Sequence, residues 1–187
     1  MDTDKAQRGE RAGKELLPAL RIPCTSQLGA KDLERGTWIV VLRADEIPHV
    51  VMLQQGVCFS LEHDGNRRYP ARKLWRLVEG KRIPTLFCEL GPWASGAVSA
   101  IYERFARIEG DADCFLPVRD FCAGESAGLA DVSFPYELVP RLAHGGRLAR
   151  TVALHFPGSA PADAITLPTY SRAEIRARIA AVRDARR

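Results

Sequence analysis

At 187 residues the chain suits one domain and is long enough for a substantial core. Its 46% hydrophobic and 27% charged residues are ordinary for a globular protein, and a net charge of +4, much of it near the two ends, is a weak pointer to an anionic partner. No run approaches the roughly 18 apolar residues of a membrane span. The opening MDTDKAQRGERAGKELL has no apolar core of the secretory kind, so the expected compartment is the cytoplasm, with signal-less export left open.

Residues 1–13 are polar, charged and aperiodic, which predicts a disordered lead. Lys14 to Leu20 suits a short helix, and a turn over Asp32–Gly36 enters the first strand. Three strands are expected at Trp38–Leu42, Val50–Leu53 and Val57–Leu61, from β-branched and aromatic residues bounded by Gly, Pro and polar clusters. Asn66 to Arg82 reads as a basic, partly helical segment, and Ile83 to Leu90 as a further strand. Val98, Ile101, Tyr102 and Phe105 repeat at i, i+3, i+4 and i+7, predicting a helix over Ala94–Ile108. A second helical stretch runs from Cys114 to about Cys122, with Asp113 able to accept an orphan amide of its first turn. Val132–Leu142 begins with a Ser-Phe-Pro turn and continues as a short helix, and Leu148–Phe156 resembles a late strand. The last helix starts at Ser171, where Ser-Arg-Ala-Glu forms a capping box with Glu174. Strands cluster rather than alternate with helices, so the expected class is α+β. The implied division is the lead, a single domain over 14–160, and a linker with a basic helix over 161–187.

Five cysteines at irregular spacing, with no CxxC pair, argue against both a disulfide framework and a structural zinc site. No cofactor is implied. Cys114 alone among them falls at a predicted helix start, where free amides and the helix dipole favour a thiolate; the aspartates just upstream oppose that effect. Cys24 lies in a loop, Cys58 and Cys88 inside strands, and Cys122 late in its helix. His49 opens the second strand, while Glu62 and His63 close the third. A hairpin can therefore set an imidazole beside a carboxylate, the arrangement that activates a nearby thiol. Successive strand side chains alternate, so only one of Glu62 and His63 faces inward, and the Gln54-Gln55-Gly56 turn leaves the register open by one residue.

The run Asp32-Leu33-Glu34-Arg35-Gly36-Thr37-Trp38-Ile39, followed by His49-Val50-Val51-Met52-Leu53, resembles the opening strands of the NlpC-type papain-like hydrolases. The order of histidine before cysteine is similar to the circularly permuted branch, which includes the lecithin:retinol acyltransferase-like proteins. Phe59-Ser60-Leu61-Glu62 is similar to that branch's next strand, Asp113-Cys114-Phe115 to its nucleophile-bearing helix start, and Ser133-Phe134-Pro135 to a downstream turn. Thr37, Val51 and Asp113 depart from the aspartate, glycine and asparagine common at those positions. The resemblance implies a papain-like antiparallel sheet packed against the cysteine-bearing helix, and hydrolysis or acyl transfer at an amide or ester through a thioester. In that reading Cys114 attacks, His49 serves as base then acid, Glu62 fixes the imidazole, and amides at the helix start help hold the oxyanion. The substrate would be an amide- or ester-bearing peptide, peptidoglycan or lipid.

Two other readings stand beside it. Arg67, Arg68, Arg72, Lys73, Arg76, Lys81 and Arg82, interleaved with Tyr69 and Trp75, have the composition of a nucleic-acid or anionic-surface binder, although a solvated helix packing Leu74, Leu77 and Val78 inward is the favoured account. A papain-like interaction domain without chemistry is the other.

Overall fold

The computed structural model describes residues 27–108, 112–156, 165 and 167–184. The predicted lead, the helix at 14–20 and Cys24 lie outside the described residues. The architecture is α+β: six antiparallel strands in the order β4-β3-β2-β1-β5-β6, with helices on both faces. The strands are β1 (Thr37–Leu42), β2 (His49–Gln54), β3 (Val57–Glu62), β4 (Gly65–Pro70), β5 (Thr85–Leu90) and β6 (Leu148–Leu154). The helices are α1 (Ala71–Lys81), α2 (Val98–Tyr102), α3 (Leu116–Glu125), α4 (Pro135–His144) and α5 (Arg172–Asp184).

Strand β1 is buried at every position because the sheet is covered twice, and its unbroken apolar run is what such a strand needs. Odd and even positions serve different cores. Ile39, Val41, Val50, Met52, Phe59 and Leu61 face a core shared with Val98 and Tyr102 of α2, Val118 and Phe121 of α3, and Leu138 and Leu142 of α4. Trp38, Val40, Val51, Leu53 and Cys58 face the opposite core, closed by Ala71, Leu74 and Val78 of α1. Truncating a side chain such as Leu74 to alanine removes apolar contact that the packed sheet cannot refill, at a cost of about 2–5 kcal/mol.

Strand β4 was hidden in the segment read from sequence as a basic, partly helical one. It is an edge strand whose Arg67 and Arg68 face solvent, so it carries no apolar alternation to announce it. His63 and Asp64 form the two-residue turn between the paired Glu62 and Gly65. The helix expected over Ala94–Ile108 is shortened to α2. The Asn66 side chain donates to the Tyr102 carbonyl at 2.6 Å, and Ile108 N–H turns back to donate to the Glu62 carbonyl at 2.9 Å. These tertiary bonds outweigh continued helix, while Phe105 and Ile108 still pack on the first core.

The β2–β3 turn settles the register left open by the sequence. Gln54 pairs with Val57, leaving Gln55 and Gly56 as a two-residue turn with φ of 49° and 78°. Both lie in the left-handed region, the geometry of a type I′ hairpin. Glycine adopts it readily and glutamine does not. Gln55→Asn should therefore raise stability by about 0.5 kcal/mol and Gly56→Ala should lower it by about 1 kcal/mol or more, measured as shifts in the urea midpoint. Equal midpoints for all three proteins would contradict the turn geometry.

Candidate active site

The pairing of β2 stops early on one side. Against β1 it continues to Leu42↔His49, and β3 pairs with β4 as far as Glu62↔Gly65. Between β2 and β3, however, the ladder covers only Met52↔Phe59, Leu53↔Cys58 and Gln54↔Val57. Beyond Met52 the two strands part, and backbone groups that would have paired across the gap need other partners. The Val50 N–H donates to Cys114 Sγ at 3.5 Å, while the Glu62 carbonyl takes the Ile108 N–H. The thiol also faces the Pro48 carbonyl at 4.0 Å, so the sulfur is bracketed by backbone groups on either side of His49.

His49 Nε2 lies 2.9 Å from Ser60 Oγ across the same gap, and Ser60 Oγ lies 3.4 Å from Glu62 Oε1. Ser60 is fully buried. With the Ser60 hydroxyl donating to the Glu62 carboxylate, its oxygen accepts from Nε2–H, and Nδ1 becomes the acceptor nitrogen of the ring. Ser60 was not singled out from the sequence, and Glu62 joins His49 through it. The signal was present in the pattern: residues 60 and 62 share a face of β3, so a choice between Glu62 and His63 overlooked the serine two residues back. His63 sits in the turn, its Nδ1 3.8 Å from Asp64 Oδ1.

Cys114 stands two residues ahead of α3. Asp113 caps that helix as expected, Oδ1 accepting the N–H groups of Phe115 and Leu116 at 2.9 and 3.0 Å. Those amides are thereby occupied, so the expectation that the helix start supplies oxyanion donors is not met by this pair. Burial, followed by the Asp113 charge, pushes the Cys114 thiol up to about 12, opposed by the N–H groups of Val50 and of Cys114 itself. The lowered thiol that a helix start suggests is thus absent: desolvation and Asp113 win, and the resting group is a neutral thiol. Burial also raises the Asp113 carboxyl, against the pull of its two amide donors.

His49, Glu62, His63, Asp113 and Cys114 all line one cleft of about 380 Å³. It wraps the end of the sheet where the two faces meet. Leu77 and Ile83 wall it on the α1 side, Phe115 and Phe134 on the other. Helix α5 lies across it with Ile175, Ile179 and Val182, anchored by Arg178 to Glu46 at 3.4 Å. The predicted capping box starts α5, with Ser171 Oγ accepting the Glu174 N–H at 3.3 Å and the Glu174 carboxylate accepting the Ser171 N–H at 2.6 Å. Ile165 and Tyr170, which precede α5, are buried against the body of the fold.

The basic segment around α1 is partly neutralised: Arg67 pairs with Asp64 and Arg68 with Glu103. Its aromatics are engaged too, Trp75 with Phe87 at a 6.3 Å ring separation and Tyr69 with Lys73 at 5.7 Å. Among the described residues no group of three His, Cys, Asp or Glu side chains is placed to hold a metal ion, and no helix is long and apolar enough to cross a membrane. Comparison with family models, with curated proteins and with solved structures gave no match.

Three thiols, those of buried Cys58 and Cys122 and of part-buried Cys114, are each raised to about 12, chiefly by desolvation. An unfolded thiol ionises near 8.5. Below that pH both states keep the proton and the full stability is present. As pH climbs from there toward 12 only the unfolded chain releases protons, so stability falls. Unfolding midpoints measured from pH 8 to 11 should decline, and Cys122→Ala should flatten the decline; a level profile in the wild-type protein would contradict the burial of these thiols.

Proposed function

We propose that the protein is a cysteine-dependent hydrolase or acyltransferase of papain-like, circularly permuted design, acting on an amide or ester through a thioester. The observation that carries this reading is the seating of the Cys114 sulfur between Pro48 and Val50, directly beside the residue whose imidazole is held by Ser60 and Glu62. The order and spacing of His49, the Ser60–Glu62 strand and Cys114 fit the family resemblance of the sequence. The six-stranded antiparallel sheet with a helix following the cysteine is compatible with it.

A neutral resting thiol decides the order of events. Attack and deprotonation belong to one step: the S–C bond forms to the substrate carbonyl carbon as the thiol proton passes to His49 Nδ1. The imidazolium created then is stabilised through Nε2–H by Ser60 and the Glu62 charge behind it. Collapse of the tetrahedral intermediate breaks the C–N or C–O bond, and His49 returns the proton to the leaving amine or alcohol. Water, or an acceptor hydroxyl or amine, then attacks the thioester with His49 again as base. Peptide, peptidoglycan and lipid carbonyls all present this electrophile, and the largely apolar cleft walls suit an uncharged acyl portion.

One observation favours a second reading, an interaction domain that keeps the cleft without chemistry. The thiol is part-buried and held neutral by desolvation, as a merely packed cysteine is. Acylation separates the two. With p-nitrophenyl butyrate, the enzyme reading predicts a burst of one p-nitrophenolate per chain and a butyryl adduct on Cys114 by intact mass. Wild-type protein that forms no adduct would favour the interaction domain.

Cys114→Ser should abolish the burst while changing stability by no more than about 1 kcal/mol, and His49→Ala should be comparably damaging. Ser60→Ala should slow acylation on the order of tenfold to a hundredfold, more than Glu62→Gln, because the serine touches the imidazole and the carboxylate acts through it. Stopped-flow burst rates check the ranking. A Ser60→Ala rate equal to wild type would break the proposed relay.

A further inference from the structure

Asp113 Oδ1 takes the N–H groups of Phe115 and Leu116, so those two helix-start amides are not available where carbonyl charge would develop. A buried hydroxyl lines the same cleft. Tyr170 is 5% exposed and lines the cleft, and its Oη makes no hydrogen bond within the described residues. A buried hydroxyl without a partner costs stability unless something else recovers it. The surrounding packing holds the ring firmly. It meets Phe134 and Tyr136 edge-on, at ring separations of 5.8 and 5.1 Å, and the Tyr136 hydroxyl donates to the Tyr170 carbonyl at 2.9 Å. The phenol is thus fixed at both backbone and ring while its polar end is left unsatisfied.

We infer that the Tyr170 hydroxyl is the oxyanion donor of the Cys114 site, hydrogen-bonding the substrate carbonyl oxygen as it becomes an oxyanion. The inference rests on the proposed acyl chemistry and adds to it a residue 56 positions beyond Cys114, in a segment outside the cysteine, histidine and relay motifs. Burial keeps the phenol protonated well above the usual tyrosine range, with the Cys114 charge the next contributor, so it stays a donor throughout the working pH range. Tyr170 and Cys114 line the same cleft, together with His49 and Asp113. Tyr102 is the instructive contrast. Its hydroxyl is also buried and without a side-chain hydrogen bond, yet it does not line the cleft and cannot reach a carbonyl bound there.

In the acylation step the sulfur–carbon bond forms, the carbonyl π pair moves to oxygen, and Tyr170 O–H donates to that oxygen without releasing its proton. The thiol proton goes to His49, and p-nitrophenolate leaves when the oxyanion collapses. Alkylation of the same sulfur by iodoacetamide displaces iodide directly and forms no oxyanion. Tyr170→Phe keeps the ring and removes only the donor, so it should slow the Cys114 burst with p-nitrophenyl butyrate about 100-fold. Its iodoacetamide rate and thermal midpoint should match wild type, or the midpoint should rise, because the lost hydroxyl satisfied nothing in the fold. Tyr102→Phe should keep the wild-type burst. An unchanged burst in Tyr170→Phe overturns the donor assignment while leaving the thiol chemistry intact. Parallel losses of acylation and alkylation overturn it as well, since they mark a packing role. A wild-type protein with no Cys114-dependent burst removes the acyl-transfer reading and this assignment with it.

Discussion

Where β2 and β3 separate beyond Met52 and Phe59, the sheet exposes backbone donors and acceptors in its own interior, and the arrangement of the cleft follows from how they are satisfied. Continued pairing would have placed Val50 opposite Leu61 and left no room for a side chain between the strands. Instead Ile108 closes the Glu62 carbonyl and the Cys114 sulfur takes the Val50 amide. A sulfur is a weak acceptor, and a strand amide given only such a partner is a local sacrifice of hydrogen-bond energy. The opening also lets His49 and Ser60 meet by their side chains where their strands no longer meet by their backbones.

The electrostatics of the gap run against the simplest picture of a reactive cysteine. A helix begins just after Cys114, but Asp113 absorbs its amides and adds a negative charge beside the thiol. With burial acting in the same direction, the sulfur keeps its proton until a base removes it. In the proposed acyl chemistry, that places the burden of activation on His49 and makes the tautomer set by Ser60 and Glu62 the decisive detail. It also leaves carbonyl polarisation to groups other than the first amides of α3.

Much of this was legible beforehand, and the lapses have identifiable causes. Strands β1, β2, β3, β5 and β6 and the start of α5 are written in β-branched runs and a capping box, local signals that tertiary packing reinforced. Strand β4 escaped because an edge strand needs no apolar face, and its arginines read as part of a helix. The shortening of α2 depended on Asn66 and Glu62, distant in sequence and silent in any periodicity. At the site, Cys114, His49 and Glu62 stood out by position, whereas Ser60 has no signature until the hairpin register is known. Tyr170 is harder still. Its interest comes from a missing hydrogen bond, which composition and spacing do not encode.

The coupling between the thiol and the imidazole is best tested by the ¹⁵N resonances of the His49 ring, read without any substrate. Nε2 should carry the proton and shift when Ser60 is replaced by alanine, and Nδ1 should resonate as an acceptor and shift when Cys114 is replaced by alanine. An Nδ1 resonance indifferent to the loss of the sulfur would contradict the account, because His49 and Cys114 would then be neighbours in the chain's fold without being partners in its chemistry.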